Sequence, residues 1–136
     1  MKILIDTNVI LDLISVREPF VNDSRKIVEL CTDQQIEGFI AAHSVMNMFY
    51  ILRHELPLQD RRKVLLGFCK LLTVVGIDEK KIISALENEN FSDVEDCLQT
   101  ECAKSCGAQY IVTRNIKDYQ NSTVPAITPD ELLKLI

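Results

Sequence analysis

A short apolar run near the start of the chain, Ile3-Leu4-Ile5, ends abruptly at the carboxylate of Asp6. Bounded runs of this length are typical of a fully buried strand in a parallel sheet. The next residues, TNVILDLI, have their apolar side chains at helical spacing, so Asp6 lies where a strand gives way to a helix. Ligands of open α/β sheets bind at this edge, but Asp6 could equally serve only as the helix cap.

Strand-like and helix-like segments alternate along the rest of the chain. Apolar and β-branched runs predict further strands at 38–42, 73–77 and 110–113 and a brief fifth at 124–127, with helices between them and a last helix at 130–136. Ser92-Asp93-Val94-Glu95 matches a capping box, which predicts a helix that stops at Gly107. The alternation predicts an α/β fold with a parallel sheet of four to five strands, covered by helices on both faces. Without a linker or an internal repeat, residues 1–136 are expected to form a single domain.

Composition excludes several classes of protein. The longest uncharged stretch, residues 38–52, is interrupted by polar residues, and the apolar start is too short for a leader, so we expect a cytoplasmic protein with no membrane span. The five cysteines are odd in number and contain no Cys-x-x-Cys pair, which favours core residues over a zinc site. A net charge of -5 argues against binding nucleic acid by bulk electrostatics.

Three other acids are candidates to join Asp6. Asp93 and Asp96 are three residues apart at the start of a predicted helix, which places them on nearly the same face. We expect Glu95 to complete the capping box and assign it no chemistry, whereas Asp93 could be explained by the helix dipole alone. Asp118 follows the fourth strand by five residues. If the first and fourth strands are neighbours, these acids meet over one edge of the sheet.

Converging carboxylates repel one another, at a cost of up to a few kcal/mol for each close pair at protein-like dielectric. A bound cation would relieve that repulsion, and oxygen ligands with open positions suit Mg²⁺ or Mn²⁺. Such ions make water a nucleophile near neutral pH and stabilise the leaving oxygen of a phosphodiester. The acids, with no serine–histidine pair, therefore point to metal-dependent phosphodiester hydrolysis.

Four segments in order, LIDTNV at 4–9, YILR at 50–53, DVED at 93–96 and TRNIKDY at 113–119, resemble the PIN-domain family over the whole chain. The resemblance implies a three-layer α/β/α fold and Mg²⁺- or Mn²⁺-dependent ribonuclease activity on RNA. For small single-domain members it also implies the toxin half of a toxin–antitoxin pair, with an antitoxin protein as partner and often a homodimer.

The resemblance also assigns site residues. Asp6 matches the first acid of the family, Asp96 matches the acid of the late helix, and Asp93 is its frequent companion, so these three are the candidate metal ligands. The second acid of the family falls at Asn47 here. Asparagine offers an oxygen ligand but no charge.

The position after the Thr113-Arg114 pair, often acidic in the family, is Asn115, so Asp118 must supply any fourth carboxylate. The candidate catalytic set is Asp6, Asp96, Asp118, Asn47 and Asn115. Two of the four family charges are thus replaced or displaced, and metal affinity should be weak. The alternative is a catalytically weakened PIN domain that acts as an RNA- or protein-binding module.

Substrate contacts are expected from Arg114 and Lys117, which flank the predicted site, and from Asn8 and Thr113. Arg114→Ala is predicted to weaken RNA binding with little loss of folding stability. His43 and His54 are interpreted as hydrogen-bonded structural residues.

A phosphatase or phospho-acceptor with Asp6 as nucleophile is a third hypothesis. Phosphatases of the haloacid-dehalogenase type need Asp-x-Asp, and Asn8 occupies the second position here. A receiver domain would need an acidic pair on the first strand and an acceptor aspartate at the end of a later strand, and neither the second nor the third strand ends that way.

Overall fold

A five-stranded sheet, parallel at every pairing, forms the centre of the computed structural model, which describes residues 1–136. The strands are β1 (Lys2–Ile5), β2 (Glu37–Ala41), β3 (Thr73–Val75), β4 (Tyr110–Val112) and β5 (Ala126–Ile127), in the spatial order β3-β2-β1-β4-β5. The predicted α/β fold is confirmed, and β1 and β4 are neighbours as the convergence of the acids requires.

Seven helices cover the sheet: α1 (Thr7–Ile14), α2 (Val21–Thr32), α3 (Ala42–Ile51), α4 (Leu58–Leu71), α5 (Glu79–Glu87), α6 (Val94–Cys106) and α7 (Pro129–Leu135). Two 3₁₀ turns, Leu52–His54 and Ile116–Tyr119, complete the elements. Gly107 ends α6 at a φ of 73°, a left-handed conformation that glycine adopts without steric cost. None of the helices has the length and apolar character that crossing a membrane requires.

Side chains of β1 alternate between two apolar cores. Ile3 and Ile5 pack on the face covered by α1, α2, α3 and α7, whereas Leu4 points to the other face, against α6. All three are fully buried, as a central strand with helices on both sides requires. This packing fixes the height of β1 in the sheet, and with it the place where Asp6 emerges at the carboxyl edge.

Most element boundaries differ by one or two residues from those predicted, and two of these differences concern the sheet edge and the candidate site. The third strand ends at Val75 rather than at residue 77, because it lies at the edge of the sheet and pairs only with β2. The helix α6 begins at Val94 with Asp93, not Ser92, as its N-cap. This second shift changes which acids face the candidate site.

Candidate active site at the carboxyl edge of the sheet

A cavity of about 500 Å³ opens at the carboxyl ends of β1 and β4, between α1, α3 and the first turn of α6. Fourteen residues line it, and only two of them are hydrophobic. Five of the lining residues are acidic: Asp6, Asp93, Glu95, Asp96 and Asp118. The structure therefore brings together the four aspartates that the sequence placed at this edge.

Asp6 lies at the floor of the cavity and is also the N-cap of α1, so its capping role does not remove it from the candidate site. Its Oδ1 accepts a hydrogen bond from the backbone N–H of Thr7 at 2.7 Å. Its Oδ2 accepts hydrogen bonds from the hydroxyls of Thr113 at 2.9 Å and Tyr119 at 3.0 Å. These donors fix the orientation of the carboxylate.

Burial raises the pKa of Asp6, while the hydrogen bonds from Thr113, Thr7 and Tyr119 act in the opposite direction. The Tyr119 hydroxyl is itself buried beside Asp6 and Asp96, which raises its own pKa and keeps it protonated as a donor. The floor of the cavity thus holds one carboxylate that is desolvated and fixed in direction.

Asp96 is half-buried on the wall formed by α6. Burial raises its pKa to about 7, and the negative charges of Asp93, Asp6 and Asp118 contribute to that rise. The Asp96 carboxyl is therefore protonated more readily than a solvent-exposed aspartate. Besides burial, the raised pKa reflects the repulsion between several carboxylates that lie in one small cavity.

Glu95 does not cap α6, and this expectation was wrong. Asp93 is the N-cap, and its Oδ1 accepts the backbone N–H of Glu95 at 2.8 Å. A capping box needs the acid three residues after the cap, so moving the cap from Ser92 to Asp93 releases Glu95. Its Oε1 instead accepts a hydrogen bond of 2.6 Å from Asn47 Nδ2 on α3.

Gln99 was missed by sequence reasoning, although it lies one helical turn after Asp96 on the same face of α6. It is buried, and its Nε2 donates to Asp6 Oδ1 at 3.2 Å and to Ser44 Oγ at 2.6 Å. Its Oε1 has no hydrogen-bond partner. The spacing of three residues from Asp96 could have indicated that Gln99 faces the site. A single glutamine in a helix, however, is usually interpreted as a surface residue.

Asn8 and Thr113 support Asp6 and occupy most of their own polar atoms in doing so. Asn8 Nδ2 donates to Thr113 Oγ1 at 3.2 Å, and Asn8 Oδ1 accepts the backbone N–H of Arg114 at 3.2 Å. Thr113 is fully buried. The backbone N–H of Asn115, a cavity-lining residue, donates to Thr113 Oγ1 at 3.0 Å.

Arg114 does not line the cavity, so the geometry gives no support to its predicted phosphate contact. Its Nε and Nη2 form hydrogen bonds of 2.5 and 3.1 Å to the carboxylate of Asp12, which is fully buried. The guanidinium also lies 4.1 Å from the ring centroid of Phe20. Lys117 is exposed and outside the lining as well, whereas Arg17 lines the cavity.

His43 lines the cavity without the hydrogen bonds expected of it. Both ring nitrogens are buried, and neither has a partner. Burial lowers the pKa of His43, partly offset by the charges of Glu95 and Asp6, so the ring is neutral at pH 7. The interpretation of His43 as a structural residue rather than an acid–base group stays a prediction.

The donors of the cavity match a hard cation in type but do not form a finished chelate. No three Asp, Glu, His or Cys side chains are placed to hold one ion together. Mg²⁺, however, usually keeps several waters and takes only one or two carboxylates from the protein. The many carboxylate and amide oxygens of the lining and the raised pKa of Asp96 fit such a partly hydrated ion.

A wider groove of about 740 Å³ runs between α5 and α6, but its charges are balanced locally. Lys104 Nζ lies 3.6 Å from Glu101 Oε1, and Ser84 Oγ donates to the same carboxylate at 3.1 Å. The acid-lined cavity is therefore the stronger candidate site.

The fold and the cavity define an α/β protein with a parallel sheet and an acidic site at its carboxyl edge. The family model for the PIN domain matches residues 2–117, and the chain belongs to this family. Ribonuclease VapC1 of Aquifex aeolicus is 23% identical over 96% of this chain and 92% of that protein.

Solved structures agree on the fold. A toxin–antitoxin complex from Klebsiella pneumoniae superposes with a TM-score of 0.70 at 19% identity, covering 93% of this chain and 96% of that one. DNA-bound VapBC from Salmonella typhimurium gives a TM-score of 0.70 at 20% identity, covering 95% and 98%. The three-layer fold expected from the resemblance is thus confirmed.

Proposed function

We propose that the protein is a divalent-metal-dependent ribonuclease that hydrolyses RNA phosphodiester bonds and acts as the toxin of a toxin–antitoxin pair. The observation that carries the proposal is the group of five carboxylates in one cavity with a single arginine among its lining residues. Such an excess of negative charge is costly unless cations are bound there. The similarity to Ribonuclease VapC1 supports the choice of RNA as substrate.

Asp6, Asp96 and Asp93 would hold Mg²⁺ or Mn²⁺, together with water and phosphate oxygens. The ion would supply Lewis-acid chemistry, since it makes water nucleophilic near neutral pH and offsets charge on the phosphate. The chain itself contributes orientation: Thr113, Tyr119 and Gln99 hold both oxygens of Asp6 before any ligand arrives. This preorganisation favours binding in one geometry.

Asn47 and Asn115 replace acids of the family, but the cavity does not lack negative charge on that side. The carboxylate of Glu95 lies 2.6 Å from Asn47 Nδ2, close to where the missing acid would stand. Asp118 lines the cavity beside Asn115. Both displacements support an active nuclease over a weakened PIN domain that only binds RNA or protein.

The partners proposed with this function are an antitoxin protein and a second copy of the chain. Several similar structures, from Klebsiella pneumoniae and Haemophilus influenzae among others, are toxin–antitoxin or VapBC assemblies. Met46 and Tyr50 on α3 are each more than 60% exposed, which leaves apolar surface for such contacts. Co-purification with the product of a neighbouring reading frame would identify the antitoxin.

The decisive experiment compares RNA cleavage by the wild type, Asp6→Asn and Asp96→Asn, with Mn²⁺ and with EDTA. We expect cleavage only with metal and only by the wild type. Asp33→Asn, at an exposed acid after α2, is the matched control and should cleave normally. In parallel, Mn²⁺ should raise the Tm of the wild type and of Asp33→Asn more than that of the other two variants.

The alternative predicts a different result. A binding module would leave structured and unstructured RNAs intact in Mn²⁺ and would still bind RNA or a partner protein. Intact RNA together with an unchanged phenotype of Asp6→Asn in cells would refute the nuclease.

A further inference from the structure

Arg17 is the only arginine or lysine among the fourteen residues that line the acidic cavity. It follows α1, whereas four of the five lining acids, Asp93, Glu95, Asp96 and Asp118, belong to α6 and to the 3₁₀ turn after β4. The side chain of Arg17 is 38% exposed. The cavity therefore presents one accessible cation to any anion that enters it.

The turn that carries Arg17 is held in an unusual backbone conformation. α1 ends in a Schellman motif: the N–H of Arg17 donates to Asp12 O at 2.9 Å and that of Val16 to Leu13 O at 3.4 Å. The left-handed position of this motif usually belongs to glycine, but here it is Val16 at a φ of 51°. A β-branched residue is strained there, and such strain persists where the surrounding structure over-determines it, often at functional sites.

Arg17 lies close to the carboxylate of Asp12 but forms no hydrogen bond with it. Its Nη1 lies 3.6 Å from Asp12 Oδ1, beyond hydrogen-bond distance. The carboxylate of Asp12 already accepts a bidentate pair of hydrogen bonds from Arg114. The planar fork of Arg17 therefore remains available to an external anion, and phosphate is the anion that this fork fits best outside carboxylates.

The cavity that Arg17 lines also offers apolar surface suited to a nucleotide. Leu11 and Ile51 are the two hydrophobic residues of the lining, and Ile51 is exposed. The hydrogen bond of 2.7 Å from Ser15 Oγ to Glu55 Oε2 ties the end of α1 to the segment after α3. Apolar surface in the same cavity as a cation can receive a base or sugar while the cation holds the phosphate.

We propose that Arg17 is a substrate-binding residue that holds a phosphate of the RNA strand on the wall that α1 and α3 form, opposite the acids of α6. The inference rests on the proposed ribonuclease function and specifies how the strand crosses the cavity. One phosphate lies at the acids, and another lies at Arg17.

The test measures binding of a short fluorescein-labelled single-stranded RNA by fluorescence anisotropy in Mg²⁺, at several salt concentrations. All proteins carry Asp6→Asn so that the RNA stays intact. Arg17→Gln should weaken binding about tenfold, the scale of a charge-assisted pair. It should also make the dependence of the binding constant on salt less steep. The negative slope of log K against log salt should shrink in magnitude by about 0.7, as expected for one lost phosphate contact on a single strand.

Arg25→Gln is the matched control, because it removes the same charge from an exposed residue of α2 outside the lining. Equal effects of Arg17→Gln and Arg25→Gln would overturn the proposal for Arg17 while leaving the nuclease intact. Absence of RNA binding by the Asp6→Asn protein, with no RNA cleavage by the wild type, would overturn both proposals. If Arg17→Gln fails to fold, Arg17→Lys decides: it keeps the charge beside Asp12, and affinity equal to that of Arg25→Lys refutes the role of the guanidinium fork.

Discussion

Asn47 Nδ2 donates a hydrogen bond of 2.6 Å to Glu95 Oε1, and this contact joins α3 to the first turn of α6 across the acidic cavity. An acid at position 47 would meet the carboxylate of Glu95 instead of donating to it. The neutral asparagine therefore keeps the two helices together when no cation is present.

Asn47→Asp tests this relationship. We expect it to lower the free energy of unfolding by about 1 kcal/mol without metal, because like charges replace a hydrogen bond near the surface. Mn²⁺ should stabilise the variant more than it stabilises the wild type. Urea denaturation with and without Mn²⁺ measures both effects, and Gln35→Glu, an exposed site at the opposite edge of the sheet, provides the charge control.

Asp96 predicts how stability depends on pH. Its pKa in the folded protein, about 7, lies above the unfolded value of about 3.9, so the native state binds the proton more tightly. This tighter proton binding adds to the free energy of unfolding. The added stability is fully present below about pH 4 and is lost as the pH rises through the folded pKa of about 7. Asp96→Asn should therefore stabilise the metal-free protein at pH 8 by on the order of 1–2 kcal/mol, discounted for solvent screening, and change little at pH 4.

Urea titrations at pH 4, 6 and 8 in EDTA would follow this change. A constant difference between Asp96→Asn and the wild type at all three values would contradict the electrostatic account. Addition of Mn²⁺ at pH 8 should reverse the order of stability, since the cation removes the repulsion only where the carboxylate is present.

Arg114 should matter for stability, contrary to the expectation drawn from the sequence. Arg114→Ala leaves the buried carboxylate of Asp12 without its two hydrogen bonds, and we expect a loss of about 3 kcal/mol in the free energy of unfolding. The double variant Asp12→Leu, Arg114→Leu should lose less, because no unpaired charge remains in the core. Thermal denaturation of the single and double variants, analysed as a cycle, gives the coupling between the two residues.

Val16 offers a stabilising change. Asparagine tolerates the left-handed conformation that Val16 adopts at a φ of 51°, so Val16→Asn should raise the free energy of unfolding by about 1 kcal/mol. Val94, also exposed but within a helix and not at positive φ, is the matched site where Asn should bring no gain. Equal responses at the two positions, measured by urea denaturation, would show that Val16 is not strained.

Local pattern predicted most of the fold, because each element carries its own periodicity. The apolar run before Asp6 and the β-branched run at 110–113 became neighbouring strands. Helix caps were harder to predict: Ser92 and Asp93 are both good N-cap residues, and the structure has Asp93 in that position. That choice decides whether Glu95 turns back along the helix or faces the cavity.

The sequence predicted the aspartates of the candidate site but not Gln99, which donates a hydrogen bond to Asp6. Aspartates at strand and helix ends stand out in a sequence, whereas Gln99 reaches Asp6 across 93 residues of chain and gives no local signal. The pairing of Arg114 with Asp12 was missed for a related reason, since the position of Arg114 next to Thr113 says nothing about a buried aspartate 102 residues away. Pairings between distant residues are properties of the packed structure.

The hydrogen bond from Tyr119 to Asp6 links residues 113 positions apart, and β1 pairs with β4. The floor of the cavity consequently cannot assemble on a nascent chain that still lacks residues 110–119. A ribosome that produces this protein carries an incomplete site until that segment has been made, so any activity of the site begins only after Tyr119 has been added.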